Sequence, residues 1–333
     1  MKYFFRENKQ LEWQIDAFFH HLALYNKEHF DGCLSVILLG SLSRGEASWK
    51  YEDGEAFLVS DIEFFTVYPK GFSCHAEFDK VISQASNMCF THQKSKLFHI
   101  DNTYVMLQRL SKMERKILTY DACNMGKAVV GKNVINLLPH INYQNINKED
   151  IWDILVHRLF SVLYYGRKVR DLGHEDEYKY SLAKNSLDLM TVMLARNGIL
   201  KTGFINKLDT IKTTEQDRNV VMYLDYCLQV KLCVAKSELF DVDEMEKMFI
   251  SMVKSLSSSY HIPWSNNLRN FLPVSRRHIG MMRRSWKVKY FSCGRKAYLL
   301  KLINCFESKK SLNLSMRKEN FVLNGYPKLF INE

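Results

Sequence analysis

Hydrophobic residues follow two spacings along the chain, and the change from one to the other divides it. Before residue 140, short apolar runs of strand length alternate with amphipathic segments of helical period, such as residues 8–26. From Ile151 onward, apolar residues recur every three or four positions through successive segments. We therefore predict an α+β fold in which a sheet flanked by helices, over residues 1–140, precedes an antiparallel helical bundle, over residues 141–258.

The segment from Leu34 to Tyr68 carries the first candidate chemistry. Ser35 to Leu39 is a mostly apolar run of the kind found in a strand buried on both faces, and Gly40 ends it. A glycine here permits a backbone turn that other residues disfavour and lets an anion approach the main chain. Ser41 and Ser43 add hydroxyls beside the amides that open the next helix, where N–H groups and the helix dipole favour phosphate. The turn is therefore a candidate phosphate site.

Two acidic residues lie on the next predicted strand, which runs from Leu58 to Tyr68. Side chains in a strand repeat every two residues, so Asp61 and Glu63 project from the same face. The apolar residues Ile62 and Phe64 then point the other way, into a core. Two adjacent carboxylates repel each other unless a cation lies between them, and hard oxygen ligands suit Mg²⁺. The alternative is that both acids form the solvated face of an edge strand.

The order of these features resembles the polymerase-β-like nucleotidyltransferase superfamily. The matching residues are LLGSLSRG followed by SDIEFF, and they are most similar to the kanamycin (aminoglycoside) nucleotidyltransferase type. The resemblance implies a small mixed sheet and a Mg²⁺-dependent enzyme that moves a nucleoside monophosphate from an NTP to a hydroxyl group and releases pyrophosphate. ATP is the expected NTP, and the acceptor would be a small molecule, a glycan or a lipid-linked compound. The nucleotide-binding residues would be Gly40, Ser41, Ser43 and Arg44, with Asp61 and Glu63 as catalytic and metal-binding residues.

The chain departs from the family pattern in the spacing of this motif. Ser41 and Asp61 lie 20 positions apart, which is longer than the family pattern. The excess covers about Trp49 to Ala56 and contains the pair Asp53-Gly54, which is typical of a turn. We therefore predict a hairpin inserted beside the site.

A third carboxylate is implied by the resemblance and falls on Asp101. A short strand is predicted over Leu97–Asp101 and a helix over Leu107–Tyr120, and family members carry an acid on a strand beside the acid pair. Asp101 would help to hold the metal and accept the proton of the attacking hydroxyl, which needs a carboxylate within hydrogen-bond reach. His99, two residues earlier, should share its face. The alternative for Asp101 is a strand-ending turn residue, since Asp-Asn pairs are common in turns.

A group of cations follows an apolar helical face in the predicted bundle. The resemblance implies that a basic side chain of the second domain reaches the nucleotide phosphates. Lys168 is the first candidate and Arg167 the second, while Lys184 on the next helix is a weaker one. A solvated helix end, where cations interact favourably with the C-terminal dipole, explains Lys168 and Arg167 equally well.

The net positive charge of the chain lies in its last 74 residues. Residues 260–333 hold 15 Lys and Arg against 3 Asp and Glu, whereas residues 1–259 hold 32 against 33, so the end of the chain supplies the net charge of +11. We predict a basic region over residues 259–333 that binds an anionic membrane surface or another polyanion, with nucleic acid as the less favoured partner.

Eight cysteines without a C-x-x-C pair, no signal-peptide run and no stretch near ~18 apolar residues indicate a cytoplasmic protein, attached at most peripherally to the inner membrane face.

Two other function classes stay open. One is a nucleotidyltransferase directed at protein or nucleic acid, including the nucleotide-adding antitoxin type. Trp286 and Tyr290 favour it slightly, because aromatic residues set among basic ones can stack on bases. The other class is a catalytically silent nucleotide-binding protein, and the presence of both Asp61 and Glu63 weighs against it.

Overall fold

The computed structural model describes residues 2–72, 75–91, 93–95, 98–166 and 170–259, apart from the side chains at positions 152, 164, 165, 258 and 259. The candidates Arg167 and Lys168, and the basic region beyond Ser259, therefore lie outside the described residues. Within the described ranges, no helix combines the length and the apolar character that crossing a membrane requires.

Strands and helices alternate in the first part of the chain, and helices fill the second. The first part consists of α1 (Lys9–Phe30), β1 (Ser35–Leu38), α2 (Gly40–Arg44), β2 (Trp49–Glu52), β3 (Glu55–Leu58), β4 (Ile62–Tyr68), α3 (His75–Cys89), β5 (Ile100–Met106), α4 (Ile117–Met125) and β6 (Lys127–Val130). The second part consists of α5 (Lys148–Ser161), which continues into a π-helical turn (Val162–Gly166), then α6 (Glu175–Arg196), α7 (Phe204–Thr214), α8 (Arg218–Lys231) and α9 (Val242–Ser259).

The sheet carries helices on both faces. Its strand order is β5-β4-β1-β6; β4 and β5 run parallel, whereas β1 is antiparallel to both β4 and β6. Ile62 and Phe64 point into a core shared with α1 and α3, as the alternation in the sequence predicts. Phe65 and Val67 point into a second core on the side of α4. The small mixed sheet flanked by helices is therefore confirmed.

The inserted hairpin is also confirmed. Strands β2 and β3 pair antiparallel from Trp49 opposite Leu58 to Glu52 opposite Glu55. Asp53 and Gly54 form the turn, both with positive φ, as the sequence pair predicts. The hairpin forms its own two-stranded sheet beside the larger one.

The predicted helix over Leu107–Tyr120 is wrong in its first part. Strand β5 pairs with β4 as far as Met106, a 3₁₀ helix follows over Leu107–Lys112, and α4 begins only at Ile117. The polar segment before Ile117, SKMERK, has no apolar stripe that could bury one face of a continuous helix. The chain therefore turns there instead of continuing.

Helix α6 forms the centre of the bundle. It packs against α5, α7, α8 and α9, and so it is buried around most of its circumference. The helical second part predicted from the apolar spacing after Ile151 is confirmed. Helix α7 is a short amphipathic helix, whose buried residues Phe204, Leu208 and Ile211 have the i, i+4, i+7 spacing.

Glu46 joins the sheet part of the chain to the bundle. The Glu46 carboxylate is buried, with Oε2 3.0 Å from Nε of Arg44, and Oε1 accepts a hydrogen bond of 3.0 Å from the backbone N–H of Ile205 at the start of α7. The Lys231 ammonium at the end of α8 donates to the Glu46 carbonyl. Burial alone would raise the pKa of Glu46, but Arg44, the amides of α7 and Lys231 outweigh it and hold that pKa below its usual value.

We expect the substitution Glu46→Gln to weaken this junction. Glutamine keeps the acceptor for Ile205 but removes one of the two carboxylates that pair with the buried Arg44 guanidinium, the other being Asp121 at 3.9 Å. The free energy of unfolding in urea should therefore fall by about 2 kcal/mol at pH 7. Because the folded-state pKa of Glu46 is depressed, its contribution is present above the unfolded pKa and is lost as pH falls through the folded value. The stability of Glu46→Gln should therefore decline less steeply than that of the wild type below about pH 5.

Glu114→Gln is the matched control, since Glu114 pairs with Lys116 at an exposed position. Its unfolding free energy should change by less than about 1 kcal/mol. Equal losses in the two variants would contradict the role assigned to Glu46.

Candidate functional site

Three carboxylates meet where β4 and β5 begin. Asp61 directly precedes β4 and is buried, and Glu63 lies on β4. In the parallel pairing of β4 with β5, Glu63 stands opposite Asp101, so their side chains project from the same face of the sheet. The structure therefore brings together the acid pair and the third acid that the sequence analysis proposed.

His99 lies between two of these acids. Its Nδ1 atom is 2.9 Å from Oδ1 of Asp61, and its Nε2 atom is 2.8 Å from Oδ2 of Asp101. Burial alone would lower the pKa of His99, but the contacts with Asp101 and Asp61 outweigh it and raise that pKa to about 10. The ring is therefore an imidazolium at neutral pH, and it balances part of the negative charge.

Lys184 brings a second cation to Asp61 from the bundle. It lies on α6, and its Nζ atom is 2.7 Å from Oδ2 of Asp61. Burial alone would lower the pKa of Lys184, but Asp61 and its neighbours hold it above its usual value. Burial would likewise raise the pKa of Asp61, but Lys184 and His99 hold it below its usual value. Both groups are therefore charged at neutral pH.

The glycine of the motif lies against the second acid. Gly40 has φ +65°, and a Cβ atom at this position would stand 2.3 Å from Oε2 of Glu63. The backbone N–H of Leu39 also donates to the Glu63 carbonyl, at 2.8 Å. Burial raises the pKa of Glu63, and the Asp61 and Asp101 carboxylates act in the same direction against Lys184. The turn and the acids are therefore in contact, and a side chain at position 40 would displace the Glu63 carboxylate.

The remaining motif residues line the other side of this turn. Ser41 occupies the second position of α2 and is partly exposed. Ser43 is buried, and its hydroxyl donates to the Gly40 carbonyl at 2.9 Å. Arg44 pairs with Glu46 and remains near enough to act on the pKa of Glu63. Ser41 is thus the more exposed of the two motif serines, whereas Ser43 and Arg44 already have partners within the protein.

The chemistry of the donor set fits a hard divalent cation. Asp61, Glu63 and Asp101 offer carboxylate oxygens, the ligands that Mg²⁺ prefers. The raised pKa of Glu63 reflects burial and the negative charge gathered around it. Among the described residues, no group of three or more acidic, His or Cys side chains already has the arrangement of a metal cluster. A cation would therefore have to draw Asp61 away from its contacts with His99 and Lys184.

From the sequence, Lys184 is only a weaker candidate for the nucleotide phosphates, and His99 shares the face of Asp101 without a role of its own. His99 had a usable signal, since His99 and Asp101 repeat the two-residue spacing of Asp61 and Glu63. Lys184 had a weaker signal, a lysine inside the apolar helical pattern of the segment YSLAKNSLDL. A cation at such a position needs an anionic partner, but the sequence does not identify the partner.

We expect Gly40→Ala to displace the Glu63 carboxylate and weaken metal binding. Mn²⁺ would stand in for Mg²⁺, and its binding would be measured by electron paramagnetic resonance. The affinity of Gly40→Ala for Mn²⁺ should be about 10-fold to 100-fold lower than that of the wild type. Gly32→Ala is the control, because Gly32 also has positive φ but no atom within 4 Å of the added Cβ. It carries the same kind of backbone strain and should leave Mn²⁺ affinity unchanged; unaltered binding in Gly40→Ala would contradict the assignment.

Comparison with known proteins gives a distant likeness. No family model matches the chain, and no curated protein matches it. One matching solved structure is the crystal structure of spectinomycin adenyltransferase AAD(9) from Enterococcus faecialis with ATP and spectinomycin. The match has 12% sequence identity and a TM-score of 0.47, and it covers 74% of this chain and 98% of that one. A likeness at this distance does not assign the chain to a family.

Proposed function

We propose that the protein is a Mg²⁺-dependent nucleotidyltransferase. It would move a nucleoside monophosphate from an NTP, with ATP as the expected donor, to a hydroxyl group of a small-molecule, glycan or lipid-linked acceptor. The observation that carries the proposal is the contact between Gly40 and Glu63, which joins a turn suited to phosphate to a face that bears three carboxylates. Asp61 and Asp101 supply the other two acids.

The turn and the bundle supply the groups that suit a triphosphate. Gly40 has no side chain of its own, and the Glu63 carboxylate lies where one would stand, so the main chain of the turn and this acid are adjacent. Ser41, the next residue, adds a hydroxyl. Lys184 adds an ammonium that is charged at neutral pH. Its flexible four-carbon stem would let Nζ move from Asp61 to a phosphate oxygen when a nucleotide is present.

The three acids would hold the metal ion. Asp61, Glu63 and Asp101 are the residues whose oxygens suit Mg²⁺, which when bound offsets the negative charge of the phosphates. If Asp61 bound the metal ion in place of Lys184, the Lys184 ammonium would be free to turn toward the nucleotide. The bound cation would also offset the carboxylate charge that, together with burial, raises the pKa of Glu63.

The transfer itself needs positioning and one proton acceptor. The hydroxyl oxygen of the acceptor forms a bond to the α-phosphorus, while the bond from that phosphorus to the pyrophosphate oxygen breaks. A carboxylate oxygen of Asp101 takes the hydroxyl proton. Asp101 is suited to this role because it stands at the edge of the carboxylate face, on β5, and is only partly buried. The products are the nucleotidylated acceptor and pyrophosphate.

We expect Asp61→Asn and Glu63→Gln each to reduce nucleotidyl transfer by at least about 1,000-fold, because this chemistry depends chiefly on charge neutralisation and positioning. Each variant keeps nearly the shape of the original side chain. Circular dichroism should therefore show a retained fold. Transfer at the wild-type rate in either variant would contradict the assignment of the acids.

The acceptor can be sought directly. The protein would be incubated with each of the four NTPs, Mg²⁺ and a cell extract, and mass spectrometry would be used to look for a compound heavier by one nucleoside monophosphate. The adduct should form with wild-type protein, should require Mg²⁺ and should be absent with Asp61→Asn. An adduct on protein or nucleic acid would replace the proposed acceptor class, and the absence of any adduct with all four NTPs would overturn the proposed function.

A further inference from the structure

The segment that leads into β4 contacts helix α6 at two successive positions. The Ser60 hydroxyl oxygen lies 3.5 Å from the hydroxyl oxygen of Tyr180, and Asp61 pairs with Lys184 at 2.7 Å. Tyr180 and Lys184 are four residues apart on α6, so they lie on the same face of that helix, one turn apart. Two neighbouring residues of the sheet part thus contact two neighbouring positions of one helix.

The first of these contacts belongs to a buried chain of hydroxyl groups. Tyr180 donates to Oγ of Ser48 at 3.2 Å, and Ser48 in turn donates to the backbone carbonyl of Lys231 on α8. The Ser48 N–H donates to Oγ of Ser60 at 2.8 Å. Each hydroxyl group can donate one hydrogen, and that of Tyr180 goes to Ser48. Ser60 therefore donates to Tyr180, and every donor in this hydroxyl network has an acceptor. Such a fully satisfied buried network favours one geometry.

The base of the inserted hairpin takes part in these contacts with α6. Ser48 and Ser60 lie at its base, immediately before β2 and shortly after β3, and the Val59 N–H donates to the Ser48 carbonyl at 3.0 Å. Phe57 and Val59 form a small buried cluster with the ring of Tyr180. The insertion therefore surrounds Tyr180 with apolar contacts on its ring and hydrogen bonds on its hydroxyl.

We propose that Tyr180 is a positioning residue for the nucleotide site: the base of the hairpin insertion holds it, and Tyr180 fixes the turn of α6 that presents Lys184 to Asp61. The inference rests on the function proposed above and adds a role for the insertion within it. Lys184 has a long, flexible side chain, so the position of its ammonium depends on how firmly its helix is placed. Because the hairpin base holds Tyr180 one turn earlier on α6, the helix places Lys184 beside the phosphate site before a nucleotide binds.

The test compares Tyr180→Phe with Tyr178→Phe in the full-length protein. Tyr178 lies on the same helix and is equally buried, but its hydroxyl bonds Glu246 on α9 instead of the hairpin base. Calorimetry would measure the affinity for a non-hydrolysable ATP analogue with Mg²⁺. Tyr180→Phe should bind this analogue about 3-fold to 10-fold more weakly than the wild type. Tyr178→Phe should bind it as the wild type does, even if its thermal stability falls by a similar amount.

A double-mutant cycle with Lys184→Met shows whether Tyr180 acts through Lys184. In the Lys184→Met background, Tyr180→Phe should cause no further loss of affinity, because the group that it positions is gone. Ser60→Ala, which removes the donor to Tyr180, should weaken binding in the same way and serves as a second variant if Tyr180→Phe does not fold.

Three results would overturn the inference, and they are distinguishable. Equal affinities of Tyr180→Phe and the wild type would show that Tyr180 does not position the site. A loss that persists in full in the Lys184→Met background would show that Tyr180 acts by another route. Failure of the wild-type protein to bind the analogue with Mg²⁺ would instead refute the proposed function, and with it the inference.

Discussion

The carboxylate of Asp61 is buried at the edge of the sheet and links the sheet part of the chain to the bundle. A carboxylate removed from water must have charged or hydrogen-bonding partners, and Asp61 has them from two different parts of the chain. His99 reaches it from the segment before β5, and Lys184 reaches it from the bundle. The requirement to satisfy this charge therefore couples the edge of the sheet to the central helix of the bundle.

The junction between the two parts is largely polar at this point. Glu46 accepts from the start of α7, Ser48 donates to the end of α8, and Tyr180 lies between the two serines at the hairpin base. Buried polar groups cost stability unless all of them are paired, so such a junction tolerates few relative orientations. The residues that flank the inserted hairpin thus help to join the motif to the bundle.

Charge balance at the site follows from the same packing. Glu63 and Asp101 stand opposite each other on parallel strands, and Asp61 lies nearby. The three carboxylates therefore concentrate negative charge in a partly desolvated region. The cations of His99 and Lys184 offset part of it within the protein itself. A divalent cation bound together with a triphosphate would give both the acids and the cationic side chains new partners of opposite charge.

The features that depend on near neighbours along the chain can be predicted from the sequence alone. Alternation places Asp61 and Glu63 on one face and Ile62 on the other, and the glycine after the first strand marks the turn. Which cation meets which acid depends instead on tertiary packing. Lys184 is 123 positions from Asp61, and His99 gains its role only from the parallel register of β4 with β5. Periodicity reports on residues within a few positions of each other, whereas these contacts depend on how α6 packs against the hairpin base, which no local pattern encodes.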